Sequence, residues 1–371
     1  MKIIILRSNL KESLSAVEKA ISESGNLPIL KNVLLKTYNN KIKIAATNLD
    51  LAITKLASGK IIEEGGITVP FSTFYNLVNN SDSERIAIET DNNNLIFKTD
   101  NYSARIQGVG HEEFPIIPKI DNEDHFIELP TQVFKDGVSK VLSAVQVSEI
   151  RPEISGVLLD FRSNNLKLVA TDAFRLAQKT IGEGQFKTNF SQEFKIIVPL
   201  KTISEVVKIF SENQPIKIHI DGSQILFKNE DTELISRLIN GEYPDYEQII
   251  PKSTENEITL DKFQLINAVK LASNFSGRTN DVKLKVDEGK KVMEVYSASQ
   301  YVGENNYLIP VKAKGDGVPE IAFNWRYFLD GLRIVDGDNL FFGANGSNKP
   351  SVIKSPEDPS YFYILMPIKN G

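Results

Sequence analysis

The side chains that could carry acid–base or metal chemistry are few and scattered in this sequence. The three histidines are His111, His125 and His219, and none has the spacing of a metal-ligand pair or stands in a Ser or Cys nucleophile motif. His219 alternates with apolar residues in IKIHID, which predicts a strand residue. Cysteine is absent, which excludes thiolate catalysis and cysteine-ligated metals. We therefore expect no catalytic residue, no metal and no cofactor.

Asp172 is one candidate for a catalytic acid, and an internal duplication argues against that role. The segment VATDAFRLA at 169–177 has a near copy, AATNLDLAI, at 45–53, with Asn48 in the place of Asp172. Both side chains can cap a turn, but Asn cannot act as a general base. The duplication therefore predicts a structural turn, and Phe174, Arg175 and Leu176 are what the first copy lacks.

A second pattern concerns binding: pairs of cations recur on the predicted helices. Spacings of seven and eight residues return to nearly the same face of a helix. Two interpretations are open, because lysine is common on any solvated helix face, whereas one continuous surface of such helices would contact phosphates without reading bases. The pairs at a spacing of seven or eight are Lys11 and Lys19, Lys201 and Lys208, Lys262 and Lys270, and Arg326 and Arg333, and one further pair, Lys135 and Lys140, has a spacing of five.

The elements that must position these side chains occur three times in the chain. GVLLDFRSNNLKLVATD from Gly156 repeats NVLLKTYNNKIKIAATN from Asn32, and IIVPLKTISEVV later repeats ITVPFSTFYNLV. DVKLKVDEGKKVMEVYSAS from Asp281 and IAFNWRYFLDGLRIV from Ile321 form a third, more diverged copy. Repeats of this length predict three domains of ordinary size. We place them at 1–121, 127–251 and 256–371.

Each copy predicts two helices and several antiparallel strands. The opening segment has Leu10, Leu14 and Val17 at helical spacing. Alternating stretches such as LKLV at 166–169 predict strands, and Asn-Asn turns join them into hairpins. Because the apolar face of a sheet must be covered, helices packed on antiparallel sheets give an α+β fold class.

Composition and charge limit which partners and which cellular compartment the protein can have. The net charge of -5 argues against a protein that grips nucleic acid over its whole surface, but it allows a basic patch on an acidic body. No segment approaches the roughly 18 apolar residues of a membrane span, and the apolar run at the N-terminus is too short for a signal peptide. We expect a cytoplasmic protein without membrane association.

Four motifs in register resemble those of the bacterial sliding clamps, the DNA polymerase III β subunit family. They are LPILKNVLLKT with TNLDLAI, RPEISGVLLDF with ATDAFRLA, GEYPDYEQIIP, and YILMPIKNG. The resemblance covers essentially the whole chain. It implies the DNA-clamp fold, in which a head-to-tail homodimer forms a six-domain ring around double-stranded DNA with the helices inside. It also implies a nucleoid-associated, non-catalytic processivity factor.

The resemblance implies which residues meet DNA and which proteins bind the ring. The DNA contact would be independent of sequence and would use the five cation pairs, Ser24 and Ser148. Ser24 stands where some relatives carry a DNA-contacting Arg, so this chain lacks a cation at that position. The implied partners are the replicative polymerase subunit, the clamp loader, repair polymerases and other proteins with a clamp-binding motif.

The resemblance further implies one apolar cleft, between the second and third domains, that takes this short motif. Apolar walls suit Leu and Phe anchors, Met adapts to varied ligands, and Arg at the rim can pair with an acidic peptide. Phe174 departs from the His of many relatives, and Glu247 and Gln248 make the rim less basic. The implied cleft residues are Arg151, Ile154, Thr171, Phe174, Arg175, Leu176, Pro244, Ile249, Ile364, Leu365, Met366, Pro367 and Ile368.

The seam of such a ring would join the first domain of one chain to the third domain of the other. By position, the residues are Ala104 and Ile106 against Leu271 and Phe275. Two other hypotheses stay open: a repeat-built peptide-binding adaptor that does not encircle DNA, and an enzyme whose site has no sequence signature. The cation pairs favour the ring over the adaptor, and so does the domain count, because two chains of three domains give a six-domain ring. The scattered titratable groups weigh against the enzyme.

Overall fold

Six helices lie in the part of the chain that the computed structural model describes, which is residues 1–22, 27–120, 123–287, 289 and 291–368. Each third of the chain contributes two of them, as predicted. None of these helices is long and apolar enough to cross a membrane. Ser24 and the predicted domain ends at 121 and 371 lie outside the described residues. The helices are α1 (Arg7–Val17), α2 (Phe71–Asn80), α3 (Thr131–Leu142), α4 (Leu200–Ile209), α5 (Lys262–Ser273) and α6 (Trp325–Ile334).

Strands make up most of the remaining regular structure. The first third contains β1 (Lys2–Leu6), β2 (Asn32–Tyr38), β3 (Lys41–Thr47), β4 (Leu51–Ala57), β5 (Gly59–Glu63), β6 (Gly66–Pro70), β7 (Arg85–Asp91), β8 (Asn94–Lys98), β9 (Ser103–Gln107) and β10 (Val109–Gly110). The middle third contains β11 (Ile127–Pro130), β12 (Gly156–Arg162), β13 (Asn165–Thr171), β14 (Arg175–Gly182), β15 (Lys187–Thr188), β16 (Phe194–Pro199), β17 (Pro215–Asp221), β18 (Gln224–Lys228) and β19 (Thr232–Arg237). The last third contains β20 (Asn256–Asp261), β21 (Asp281–Val286), β22 (Val292–Ser299), β23 (Gly303–Pro310), β24 (Lys312–Lys314), β25 (Val318–Asn324), β26 (Asn339–Ala344), β27 (Ser351–Lys354) and β28 (Tyr361–Leu365).

The chain divides into two compact units, each with one large and one small antiparallel sheet. The first unit comprises Met1–Gln132, Lys187–Phe190 and Ser204–Leu238. Its sheets have the strand orders β5-β1-β7-β8-β9 and β10-β6-β2-β3-β4-β19-β18-β17-β11-β15. The second unit comprises Val133–Phe186, Ser191–Ile203 and Ile239–Gly371. Its sheets have the orders β23-β22-β21-β25 and β16-β12-β13-β14-β28-β27-β26-β20-β24.

Strand pairing across repeats explains why two units, and not three, are the compact bodies. In the ten-stranded sheet β4 of the first repeat pairs with β19 of the second, with Ile53 opposite Leu234. In the nine-stranded sheet β14 of the second repeat pairs with β28 of the third, with Leu176 opposite Ile364. The middle repeat therefore contributes strands to both large sheets, and the domain limits stay a prediction.

Local sequence accounts for the β2–β3 hairpin and for the start of α5. Asn39 and Asn40 join β2 to β3 with φ values of 47° and 57°, the left-handed pair that a two-residue hairpin of type I′ needs and that Asn tolerates. At the start of α5 the side chain of Asp261 accepts a hydrogen bond of 2.7 Å from the N–H of Gln264, an N-cap that satisfies a helix-end donor.

One glycine marks where α6 approaches the sheet most closely. A Cβ atom on Gly331 would lie 2.5 Å from Cδ1 of Tyr363 in β28, closer than any carbon contact allows. Tyr363 is itself fully buried, and its hydroxyl donates to the carbonyl of Tyr327 at 2.9 Å. Glycine at this position therefore lets α6 pack flat on β28 and fixes Tyr327 beside the strand end.

Candidate functional site

The site begins at the turn between β13 and β14, which is held by its own side chains. The hydroxyl of Thr171 donates to the carbonyl of Arg175 at 2.6 Å. Oδ1 of Asp172 accepts from the backbone N–H groups of Phe174 and Arg175 at 2.9 and 3.0 Å. Ala173 has a φ of 75°, a strained value for alanine that this hydrogen bonding stabilises. The turn therefore points Phe174 outward in a defined position.

The first repeat contains the same turn. Thr47 donates to the carbonyl of Leu51 at 3.0 Å, and Oδ1 of Asn48 accepts from the backbone N–H of Leu51 at 2.9 Å. Leu49 takes the left-handed φ of 77°. The prediction that Asp172 has a structural turn role is confirmed, because Asn48 performs that role with an amide oxygen.

Arg175 is tied to the body of the protein by two carboxylates and a ring. Its Nε lies 2.8 Å from Oδ2 of Asp172 and its Nη1 lies 2.6 Å from Oδ2 of Asp330. The guanidinium carbon is 4.3 Å from the ring centre of Tyr327, within cation–π range. The side chain is only 10% exposed. The two carboxylates already neutralise its charge, so Arg175 is less suited to pair with an acidic peptide than an unpaired cation would be, and its cleft role stays a prediction.

Phe174 is the exposed member of this group. It is 59% exposed, and its ring stacks on Tyr327 with 6.5 Å between centroids and 24° between planes. Tyr327 and Asp330 belong to α6, and Asp330 is 155 residues from Arg175. No spacing in the sequence connects them, so sequence reasoning missed both. Together Phe174 and Tyr327 offer an aromatic surface of the kind that anchors binding partners.

The strands that adjoin this turn carry a closed apolar cluster. Leu176 and Ile364 lie opposite one another in β14 and β28, and both are fully buried in one hydrophobic cluster. Leu365 follows Ile364 in the strand, and successive strand residues point to opposite faces. Leu365 is fully buried and lies outside that cluster, so it points away from Ile364, and its place in the cleft stays a prediction. Beyond β28, the N–H of Met366 donates to the carbonyl of Phe174 at 2.8 Å.

A buried polar network holds the other side of the site, the short 3-10 helix Tyr246–Ile249. The hydroxyl of Tyr246 donates to Oδ2 of Asp160 at 2.9 Å. Arg162 lies 3.0 Å from the same oxygen and 2.7 Å from Glu247. Burial alone would raise the pKa of Asp160, but the hydrogen bonds from Arg162 and Tyr246 outweigh it and lower that pKa. The network was not predicted, and it fixes Ile249, which is 39% exposed.

The predicted cleft residues thus separate into accessible and buried ones. Thr171, Ile154, Leu176, Ile364 and Pro367 are buried and can only support the surface. Arg151 is exposed and its Nε lies 3.1 Å from Glu153. We define the docking surface as the residues that are exposed or half-buried and apolar, namely Phe174, Pro244, Ile249, Met366 and Ile368.

Two of the predicted DNA-facing cations are buried, which corrects their assignment. The ammonium group of Lys140 contacts Asp136, Asp336 and Asp358, and its side chain is 7% exposed. The ammonium group of Lys262 donates to the carbonyl of Val335 at 3.0 Å. Helical spacing related Lys262 to Lys270 but carried no information on which loops cover that face, and Lys140 stands only five residues from Lys135. Both lysines serve the interior of the protein.

The other cations keep the accessibility that a surface role requires. Lys208 lies 3.0 Å from Glu205 but remains 60% exposed. Lys135 is half-buried. Ser148 is half-buried and its hydroxyl accepts from the N–H of Arg151 at 3.1 Å, so it also organises its loop. The exposed cations are Lys11, Lys19, Lys201, Lys208, Lys270, Arg326 and Arg333.

The residues predicted for the ring seam lie on a sheet edge and at the end of α5. Ala104 and Ile106 belong to β9, the last strand of the five-stranded sheet. Ala104 is half-buried and Ile106 is 6% exposed, so Ile106 offers its backbone more than its side chain. Leu271 of α5 is 42% exposed and Phe275 is half-buried.

Comparison with known proteins gives one family over nearly the whole chain. Models of the DNA polymerase III beta subunit match at residues 1–118 for the N-terminal domain, 128–245 for the central domain and 247–369 for the C-terminal domain. The beta sliding clamp of Bacillus subtilis (strain 168) is 27% identical over 382 aligned positions, with 100% of both chains covered. That of Chlamydia pneumoniae is 28% identical over 373 positions, with 100% of this chain and 99% of the relative covered. The crystal structure of the DNA polymerase sliding clamp from Bacillus subtilis matches the fold with a TM-score of 0.94 at 26% identity and covers 100% of both chains. The chain therefore belongs to the DNA polymerase III beta subunit family.

Proposed function

We propose that this chain is a DNA polymerase processivity factor, a sliding clamp that encircles duplex DNA and tethers the replicative polymerase to it. The observation that carries the proposal is the match of all three family domains in order along the chain, at 1–118, 128–245 and 247–369. Three domains at 1–121, 127–251 and 256–371 in each of two chains would give the six domains of a ring. As an accessory factor it leaves the chemistry to its partners.

Open sheet edges support the closure of such a ring. β9 ends the five-stranded sheet, and β23 ends the four-stranded sheet. The last strand of a sheet presents unpaired N–H and C=O groups that can pair with another chain. Pairing β9 of one copy with β23 of a second copy is a head-to-tail contact, and such a contact repeated once closes a dimer. Ala104 of β9, with Leu271 of α5 and Phe275 just after that helix, would lie at or near this seam.

Exposed cations support a weak, mobile contact with DNA. Lys201 and Lys208 on α4, and Arg326 and Arg333 on α6, are exposed at a spacing of seven residues. Contacts of this kind reach phosphates and not bases, so they are independent of sequence and sensitive to salt. A ring does not need tight contact, because its closure alone prevents loss from the duplex. The chain can therefore be acidic overall and still slide on DNA.

The docking surface supports the tethering role. Binding hot spots are rich in aromatic side chains set among well-packed residues. Phe174 supplies an exposed ring, the buried Leu176 and Ile364 support the adjoining strands, and Met366 supplies an adaptable side chain. We propose that short motifs with Leu and Phe anchors bind here, carried by the replicative polymerase subunit, the clamp loader and repair polymerases.

Retention on DNA of different topology tests the ring. The protein is loaded onto nicked circular DNA with a clamp loader, and half of the sample is then linearised. A ring stays on the circle and slides off the linear ends, so retention should fall sharply after cutting. Equal retention on both forms would contradict encirclement. A peptide-binding adaptor would bind the motif peptide equally well and show no difference between the two DNA forms.

A further inference from the structure

Two lysines stand directly opposite one another on one face of the ten-stranded sheet. Lys36 of β2 is in register with Lys43 of β3, and like charges in opposite positions destabilise a sheet. The ammonium nitrogen of Lys43 lies 5.9 Å from the ring centre of Tyr38. Burial lowers the pKa of Lys43, and Lys119 and Lys36 lower it further against the opposite effect of Glu233. The group is therefore a partly desolvated cation among other cations.

The segment after β10 crosses this same face and encloses a cavity. Phe114 packs in a cluster with Leu34 and Ala45, and Ile120 packs in a second cluster with Ala52, Leu226 and Ile235, while Ile117 touches both clusters. Contacts three residues apart thus hold the segment on the sheet at Phe114, Ile117 and Ile120. A cavity of about 210 Å³ lies between this segment and the sheet.

The walls of the cavity combine apolar side chains with charged ones. Ala52, Leu226 and Ile235 of the sheet are among the apolar residues that line the cavity. Three lysines and two glutamates also line it, and both glutamates are paired with the same lysine: Lys228 lies 2.8 Å from Glu123 and 3.2 Å from Glu233. The other two lysines are Lys43 and Lys119. Neither forms an ion pair with a carboxylate among the described residues that line the cavity.

We propose that this cavity binds a carboxylate carried on a short aliphatic body. The carboxylate would lie between Lys43 and Lys119, where it would offset their repulsion and that of Lys36. The body would lie on Ala52, Leu226 and Ile235. The volume is below the roughly 300 Å³ of a drug-sized pocket, so the ligand is a fragment of about six carbons. Either a free small carboxylate or the last residue of a peptide has this chemistry.

Methyl-labelled NMR of the full chain tests the site, with hexanoate and hexanamide as the probes. Hexanoate should shift the methyl signals of Ile117, Ile120 and Ile235, and hexanamide should not. Lys43→Met keeps the aliphatic stem over Tyr38 but removes the charge, and should weaken hexanoate about tenfold, the value of one charge-assisted contact. Lys60→Met, on exposed β5, should change nothing.

Peptide probes then identify the source of the carboxylate. A short peptide ending in a free Leu carboxylate that binds more tightly than hexanoate, while its C-terminal amide does not bind, would assign the cavity to chain ends. Weaker binding of the peptide than of hexanoate would assign it to small carboxylates. If Lys43→Met fails to fold, Lys119→Met on the exposed segment takes its place. Equal binding of acid and amide, unchanged affinity in the lysine variant, or no shifts at the three methyl groups would overturn the proposal.

Discussion

Oδ2 of Asp172 accepts a hydrogen bond of 2.8 Å from Nε of Arg175, and the matching turn of the first repeat has no such pair. There Asn48 has an amide in the place of the second carboxylate oxygen, and Leu51 stands in the place of Arg175. The two turns share all of their backbone hydrogen bonds. The side chains at these two positions therefore tie the second turn to α6, because Arg175 in turn contacts Tyr327.

Replacing Asp172 by Asn should separate these two roles. The turn should persist, since Asn48 shows that an amide oxygen supports it, but the charge pair with Arg175 is lost. We expect the free energy of unfolding to fall by about 1–3 kcal/mol, the range for a charged hydrogen bond, and Asp172→Ala to cost more. Chemical denaturation measures this. The matched control Asn48→Asp should stay within about 0.5 kcal/mol, and equal losses in Asp172→Asn and Asp172→Ala would contradict the separation.

Phe174→Ala should weaken partner binding and leave stability almost unchanged. The ring is more than half exposed, so folding buries little of it, whereas a bound peptide would cover it together with Tyr327. Truncating an aromatic hot spot costs about 2 kcal/mol or more, which is over tenfold in affinity. Fluorescence anisotropy with a labelled peptide carrying Leu and Phe anchors measures the loss. An affinity within twofold of the parent protein would exclude Phe174 from the docking surface.

Met366→Lys should abolish binding of the same peptide. Met366 is half-buried, and its backbone N–H, which donates to Phe174, is kept in the variant. An ammonium group placed in the apolar edge would have to be desolvated by the incoming peptide, which is costly. Ile62→Lys, on a β5 residue that is 45% exposed, is the matched control and should bind normally. Parent-like binding by Met366→Lys would remove the C-terminal segment from the site.

The sequence predicted the repeated elements better than it predicted the contacts between them. The paired helices and the Asn39–Asn40 hairpin follow from local spacing and turn chemistry. Strand alternation could also have shown that Ile364 and Leu365 point to opposite faces. The partnership of Arg175 with Asp330 spans 155 residues and has no local signature, so it depends on how α6 packs against the strand end. The burial of Lys140 has the same origin, because periodicity identifies a face but not what covers it.

Charge reversal of Lys201 and Lys208 should weaken the hold on DNA. Each exposed lysine that meets a phosphate contributes close to one unit to the salt slope, so the double reversal should lower the slope by about 2. Retention on nicked circular DNA across a series of salt concentrations measures it. Lys60→Glu with Lys314→Glu changes the net charge equally on other surfaces and should keep the parent slope.

Lys140→Glu should instead destabilise the fold, since it places a carboxylate among Asp136, Asp336 and Asp358.

Asp358 should give the second unit an acid-sensitive step. Burial alone would raise the pKa of Asp358, but hydrogen bonds from Ser360 and Lys179 outweigh it and hold that pKa well below its usual range. The Nζ atom of Lys179 lies 3.0 Å from Oδ2 of this carboxylate. A carboxylate whose pKa is depressed on folding stabilises the protein fully above its unfolded pKa near 3.9, and the contribution is lost as pH falls below that value. The melting temperature should therefore drop as the pH falls below about 4.

In Asp358→Asn the melting temperature should fall less steeply below about pH 4, because the variant has no proton to take up at this position. At neutral pH it should already be less stable by about 1–3 kcal/mol, since Lys179 loses its charged partner. Melting curves from about pH 7 to pH 3 measure both effects. Asp100→Asn, at an exposed position, should keep the parent profile at every pH. If the melting temperature of Asp358→Asn falls with pH as steeply as that of the parent protein, other carboxylates govern acid unfolding. The Lys179–Asp358 pair would then contribute no pH-dependent stability.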